Sequence, residues 1–159
     1  MALRDLLGYV LRKYPHKDEL TKGRLTKIIY LIDWENAVKH GRQVTKINWH
    51  FDHYGPFVHD VYNLAVSDDS FSIRNRTNGF GSSVEVIGLS AAGGFDRLDA
   101  ETRAVVDDVI EKVKPMTWTR FISYVYGTYP IETVERYNDL PLADLARRMK
   151  RERRHGAAT

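Results

Sequence analysis

Apolar residues in this chain return every third or fourth position far more often than every second, and that spacing constrains the fold more than any other feature. Leu3, Leu6, Leu7, Val10 and Leu11 trace one helical face, which Tyr14-Pro15-His16 ends. A second helix runs from about Glu19 or Thr21 to Gly41, with Leu25, Ile28, Ile29 and Ile32 inward and Lys39 and His40 in its last turn. Pro56 suits the first position of a third helix, whose buried stripe is Phe57, Val58, Val61, Leu64 and Ala65. Asp99 caps a fourth helix, with Val105, Val106, Val109, Ile110 and Val113 inward until Pro115. Thr117 caps a fifth, with Trp118, Phe121, Ile122 and Val125 at helical spacing to Gly127, and Tyr129-Pro130 marks its exit. The last helix starts near Pro141 and carries Leu142, Leu145 and Met149.

Period-two alternation is confined to short stretches. Ile47, Trp49 and Phe51 share one side of a strand from Val44 to Phe51, and Phe71–Arg76 and Ser83–Gly88 read as a hairpin around Asn78-Gly79. A small-residue link follows from Ser90 to Gly94. About six helices and three short strands are too few strands for a parallel βαβ sheet. The expected class is α+β: a mainly helical single domain with a small three-stranded antiparallel sheet. A length of 159 residues fits one core, and no linker divides it.

Charge is distributed unevenly. The formal net charge is +3, but Arg147, Arg148, Lys150, Arg151, Arg153 and Arg154 against Glu152 contribute +5, so the rest of the chain carries 3 − 5 = −2. We divide the chain into a body of residues 1–146 and a basic helix end and tail of residues 147–159. Those six cations could contact nucleic acid or an acidic partner, and equally they suit a solvated helix C-terminus. With no cysteine, disulfides and thiolate centres are excluded, and cytoplasmic residence is expected. The longest strongly apolar run, Ile28–Ile32, is far short of a membrane span.

The most unusual stretch is Trp49 to Asp60, with His50, His53 and His59 beside Asp52 and Asp60. Histidine and aspartate ligate zinc, iron or manganese, but only when several aim at one point, and neither HExxH nor another helix-spaced dyad is present. A metal-dependent hydrolase is therefore the weakest reading, and a hydrogen-bonded polar and aromatic corner the stronger one. Nucleotide-binding fingerprints and a GxSxG elbow are also missing, so we expect no catalytic residue, metal or cofactor. Tyr124, Tyr126 and Tyr129 fall in an aromatic C-terminal third. Since Tyr124 and Tyr126 flank Val125, both cannot lie on its inward stripe.

These residues carry a resemblance. The helix Leu25-Thr26-Lys27-Ile28-Ile29-Tyr30-Leu31-Ile32-Asp33-Trp34, then Gly41-Arg42, the strand ending at Trp49, Tyr54-Gly55-Pro56-Phe57-Val58, Tyr129-Pro130-Ile131 and Asp139-Leu140-Pro141-Leu142 resemble, in that order, the Panacea antitoxin domain family, the SocA-like, phage-associated group. Two departures are Ile32, where a small residue is usual, and the arginine-rich end after Arg147. The resemblance implies a non-catalytic prokaryotic antitoxin that neutralises a cognate protein toxin by direct binding, in some relatives as an adaptor for its degradation.

Candidate partner-binding residues are Trp49, Asp52, His53, Tyr54, His59, Asp60, Tyr124, Tyr126 and Tyr129. The motif residues Lys27, Tyr30, Asp33, Trp34, Gly55 and Pro56 have a structural reading beside a functional one: Tyr30 and Trp34 widen a buried helix face, and Gly55-Pro56 set a turn. The rival to the antitoxin is a nucleic-acid-binding regulator using the basic tail and the hairpin, where Arg74 and Arg76 share a strand face.

Overall fold

The computed structural model describes residues 2–90 and 97–158. Seven α-helices and five short strands follow in the order α1 (Ala2–Lys13), α2 (Lys22–His40), β1 (Trp49–Asp52), β2 (Gly55–Pro56), α3 (Asp60–Ser67), β3 (Phe71–Thr77), β4 (Ser83–Leu89), α4 (Ala100–Val113), α5 (Trp118–Tyr126), α6 (Tyr129–Thr133), β5 (Asp139–Leu140) and α7 (Leu142–Ala158). A single 3-10 turn at Lys17–Glu19 joins α1 to α2. The class is α+β, as the spacing of apolar residues predicts. Most of the small-residue link before Gly94 lies outside the described residues. Among the described residues no helix is long and apolar enough to cross a membrane.

The α2 helix is the axle. Thr21 caps it by accepting from the Arg24 amide, and Gly41, at a φ of 76°, ends it in the left-handed conformation that glycine adopts without strain. Residues 24–34 are buried without interruption. The sequence predicts one inward stripe, but α3, α4, α7 and β4 all pack on α2, so Tyr30, Leu31, Trp34, Thr26 and Lys27 are enclosed as well. The caps expected at Asp99 and Thr117 are present, accepting from the amides of Thr102 and Arg120.

The expected strand over Val44–Phe51 forms only from Trp49 onward, and the reason is a buried carboxylate. Asp33, fully enclosed on α2, accepts from the Val44 and Thr45 amides at 2.8 and 2.9 Å, from the Thr45 hydroxyl, from Trp49 Nε1 at 2.9 Å and from Gln43 Nε2 at 3.4 Å. Amides held by a carboxylate need no strand neighbour, so residues 43–48 wrap over α2 as a loop. Burial raises the Asp33 carboxyl above the usual carboxylate range, and the hydrogen bonds from Thr45, Trp49 and Val44 offset only part of that rise.

β1 is then the centre of a three-stranded antiparallel sheet in the order β2-β1-β5, with Phe51 opposite Pro56 and Trp49 opposite Leu140. The hairpin pairs with itself, Phe71 opposite Leu89 through Thr77 opposite Ser83. It joins the rest through Ile87, whose amide donates to the Leu20 carbonyl at 3.0 Å, and through an isolated bridge from Val86 to Thr21. The two-residue strands β2 and β5 are too short to leave a periodic signal, and α6 occupies the segment expected to be an exit from the preceding helix.

Replacing Asp33 leaves several enclosed donors without an acceptor. Asp33→Ala is expected to destabilise the fold by about 3–5 kcal/mol, and Thr45→Val, which removes one hydroxyl, by about 1–2 kcal/mol, read from urea unfolding midpoints.

Candidate functional site

The corner between β1 and β2 is pressed against the N-terminal half of α2. Gly55 sits at a φ of 100°, and a Cβ there would meet the Tyr126 ring at 3.6 Å and Lys27 Cε at 3.7 Å. Glycine is required by the backbone angle, and its lack of a side chain lets the turn close onto Tyr126 and Lys27. Phe51 stands edge-on to Tyr126, at a centroid distance of 6.5 Å, and the Arg136 guanidinium covers its ring at 5.3 Å.

The outer rim is aromatic and open. Tyr54 is 75% exposed and packs edge-on against His53 at 4.6 Å. His53 Nδ1 is hydrogen-bonded to the Tyr137 hydroxyl at 3.0 Å. Tyr137, also exposed, is held at a φ of 71°, which a non-glycine residue adopts only when its surroundings impose it. Its amide donates to the Phe51 carbonyl at 2.6 Å, so β1 supplies that constraint.

Behind the rim lies Lys27. It is 4% exposed, and its Nζ stands 5.6 Å from the Phe57 ring centroid without a salt bridge among the described residues. The side chain lines a cavity of about 340 Å3 shared with Gly23, Asp52, Tyr54, Phe57 and Trp118. Burial lowers its pKa to about 8, with the Asp52 charge acting in the opposite direction. Unlike Asp33, this charge lacks an inner ring of compensating partners, and it borders a space open to a ligand.

The remaining candidates divide by location. Trp49 is 1% exposed, donating to Asp33 and meeting Tyr30 edge-on at 5.6 Å, so it supports the corner from within and offers a partner no surface. Tyr30 is enclosed too, its hydroxyl 2.8 Å from Thr128 Oγ1, and burial pushes that hydroxyl above its ordinary pKa. Pro56 is buried in β2. Of the three C-terminal tyrosines, Tyr126 joins the corner. Tyr124 and Tyr129 line a separate cavity of about 700 Å3 with Trp34, Met116, Arg120 and Arg153. There Tyr129 stacks on Trp34 at 6.3 Å, donates to Glu152 and accepts from Arg148 Nε.

The histidines diverge. His50 faces Asp139 at 3.2 Å, His53 faces Tyr137, and His59 stands edge-on to Phe57 at 5.3 Å, next to exposed Asp60 in the first turn of α3. Among the described residues no group of three or more His, Asp or Glu side chains is placed to hold a metal ion. Arg74 and Arg76, which the rival reading assigns to nucleic acid, both turn to Asp18, Arg74 as a salt bridge and Arg76 Nε onto its carbonyl at 2.8 Å. They tie the hairpin to the 3-10 turn. The cations of α7 are exposed, with Arg147 paired to Asp144 and Arg148 to Glu152.

Sequence reasoning missed Trp118, Phe57 and Lys22 as neighbours of the corner. Trp118 shares helical spacing with Phe121 and so reads as core, yet at the first position of α5 its ring is 50% exposed. The family model for the SocA-like antitoxin, Panacea domain, matches residues 25–151, a span that includes the corner and reaches into the basic stretch as far as Arg151. No curated protein and no solved structure matches.

Lys27 gives a pH signature. Its pKa is lower in the folded chain than the 10.5 of a free lysine, so between about pH 8 and 10.5 the unfolded chain binds more protons and stability rises with pH. Lys27→Met is expected to raise stability at pH 7 by about 1–3 kcal/mol and to flatten that rise, both measured by urea unfolding across the pH range.

Proposed function

The chain belongs to the SocA-like Panacea antitoxin domain family, and from that premise we propose that it neutralises a cognate protein toxin by direct binding, with the β1–β2 corner as the contact surface. The observation that carries this reading is the exposure of Tyr54 on a rigid support. Its turn is fixed by Gly55 against Tyr126 and Lys27, and its ring is braced by His53. A rigid, largely exposed tyrosine gives a partner a large contact area at small entropic cost, and interfaces draw most of their energy from a few such anchors.

Charge supports the same surface. Charges of both signs stand at the corner, Asp52 and Lys27 on one cavity and the Arg136 guanidinium over Phe51, so a bound protein would be oriented as well as held. The reading is non-catalytic: the corner histidines do not converge, His50 facing Asp139, His53 facing Tyr137 and His59 facing Phe57. Occlusion of the toxin is the primary act. Delivery to a protease would be an additional one, visible as a shortened toxin half-life.

Co-expression with the product of the neighbouring gene tests the reading by growth. The wild-type chain is expected to restore growth and to co-purify with that product, and failure of both overturns the proposal. Tyr54→Ala is expected to abolish protection while moving the unfolding free energy by less than about 1 kcal/mol, because the side chain it removes is mostly in water.

A further inference from the structure

Beside the Lys27 cavity lies a second, of about 690 Å3, and the two share Gly23 and Trp118. Together they make one groove over the first turns of α2. Tyr54 and Phe57 wall one half, Phe80 and Val84 of the hairpin wall the other, and Trp118 stands between them. Phe80, in the hairpin turn, is 95% exposed. Its loop is fixed by Asn78, whose side-chain oxygen accepts from the amides of Phe80 and Ser82. A phenylalanine held in water on an ordered turn contributes nothing to the core and is the kind of residue an interface retains.

The floor is Gly23, in the first turn of α2. A Cβ there would meet nothing nearer than the Trp118 ring at 4.0 Å, so no close packing demands glycine, and glycine is among the poorest helix formers. What a side chain at this position would occupy is the groove itself.

Four cations, Lys22, Arg24, Lys27 and Arg76, and three acids, Glu19, Asp52 and Glu85, line the groove, a net charge of +1. Arg24 donates to the Met116 carbonyl and lies 3.8 Å from Glu19, Arg76 is tied to Asp18, and Glu85 accepts from Tyr62. Lys22 and Lys27 make no salt bridge among the described residues. Lys22 Nζ lies over the Tyr62 ring at 4.5 Å, and Lys27 Nζ lies over Phe57. Two ammonium groups without a salt bridge among the described residues therefore border the groove, Lys22 half-buried and Lys27 buried, beside three exposed aromatic rings.

We propose that this groove seats a short linear segment of the partner carrying two apolar anchors and one or two carboxylates, the anchors against Phe80, Trp118 and Tyr54 and the carboxylates on Lys22 and Lys27. The proposal rests on the antitoxin reading and deepens it by giving the chemistry of the bound segment. Peptide fits better than nucleic acid here. A strand would bring a phosphate per nucleotide past Glu19, Glu85 and Asp52, which line the same groove, whereas a segment with one or two carboxylates matches the two lysines.

The test pans a random-peptide phage library against the immobilised full-length chain, then measures the affinity of the enriched synthetic peptides. Enriched sequences are expected to combine Leu, Phe or Trp with Asp or Glu, and their affinity is expected to fall at least about tenfold in Lys22→Glu and in Gly23→Leu. Neither substitution endangers the fold: an acid in the first turn suits the helix dipole, and leucine is a better helix former than glycine. Peptides without acidic residues, or undiminished binding to both variants, would overturn the proposal. So would tighter binding of an oligo(dT) strand that depends on Lys22. In the co-expression assay, protection that both variants retain overturns the groove and leaves the antitoxin reading standing. Absence of protection by the wild-type chain overturns both.

Discussion

The Asp33 carboxylate and the ring of donors around it hold the rest of this molecule in place. A carboxylate without water is unfavourable unless it accepts enough hydrogen bonds, and every donor here except the Trp49 indole comes from the loop that follows α2. The loop is consequently fixed on the helix, and Trp49 is delivered to the start of β1 with its indole already engaged. β1 then accepts β2 on one edge and β5 on the other, so one strand joins the middle of the chain to the segment that enters α7. The corner is three residues beyond Trp49 and inherits its position from this arrangement.

Among the buried ionisable groups of α2, Asp33 and Lys27 are of opposite character. Asp33 is compensated by amide, hydroxyl, indole and carboxamide donors. Lys27 has aromatic neighbours and a carboxylate at a distance, and its pKa is depressed accordingly. A methionine could occupy the Lys27 position at lower energetic cost, and uncompensated charges of this kind concentrate where a protein meets a ligand. The contrast separates structure from function on one helix: the group with a full set of partners organises the fold, and the group without them faces the groove.

Much of the fold is legible in the sequence because helical spacing survives wherever one face is buried. Val105, Val106, Val109, Ile110 and Val113 are inward as their spacing requires, and Thr117 and Asp99 cap as their chemistry predicts. Legibility fails where burial is not one-sided. α2 is surrounded, so its polar residues Thr26, Lys27 and Asp33 read as an outer face and are not one. The strand at residues 44–48 is lost to the carboxylate, an acceptor distant in sequence. At the site, the concentration of His and Asp from His50 to Asp60 marks the corner, but residue type alone does not separate Trp49, buried on Asp33, from Tyr54, in solvent. Nor does it show that Tyr126 turns to the corner while Tyr124 and Tyr129 line another cavity. Trp118 and Phe80 enter the groove from segments far along the chain, a proximity only the tertiary structure supplies.

Two concave surfaces compete for the role of contact site, and the state of their aromatic rings distinguishes them. In the cavity of about 700 Å3 lined by Tyr124 and Tyr129, the Tyr129 ring is already engaged: it is stacked on Trp34, and its hydroxyl is hydrogen-bonded to Arg148 and Glu152. A partner that stacked on Tyr129 would have to replace interactions of comparable quality, so that ring would add little free energy. In the groove over α2 the aromatic rings are exposed and the two lysines lack salt bridges, so a bound segment removes apolar surface from water and supplies missing counter-charge at once. Affinity follows from what a surface leaves unsatisfied, and the exposed rings of the groove over α2 are the ground on which we propose it as the contact.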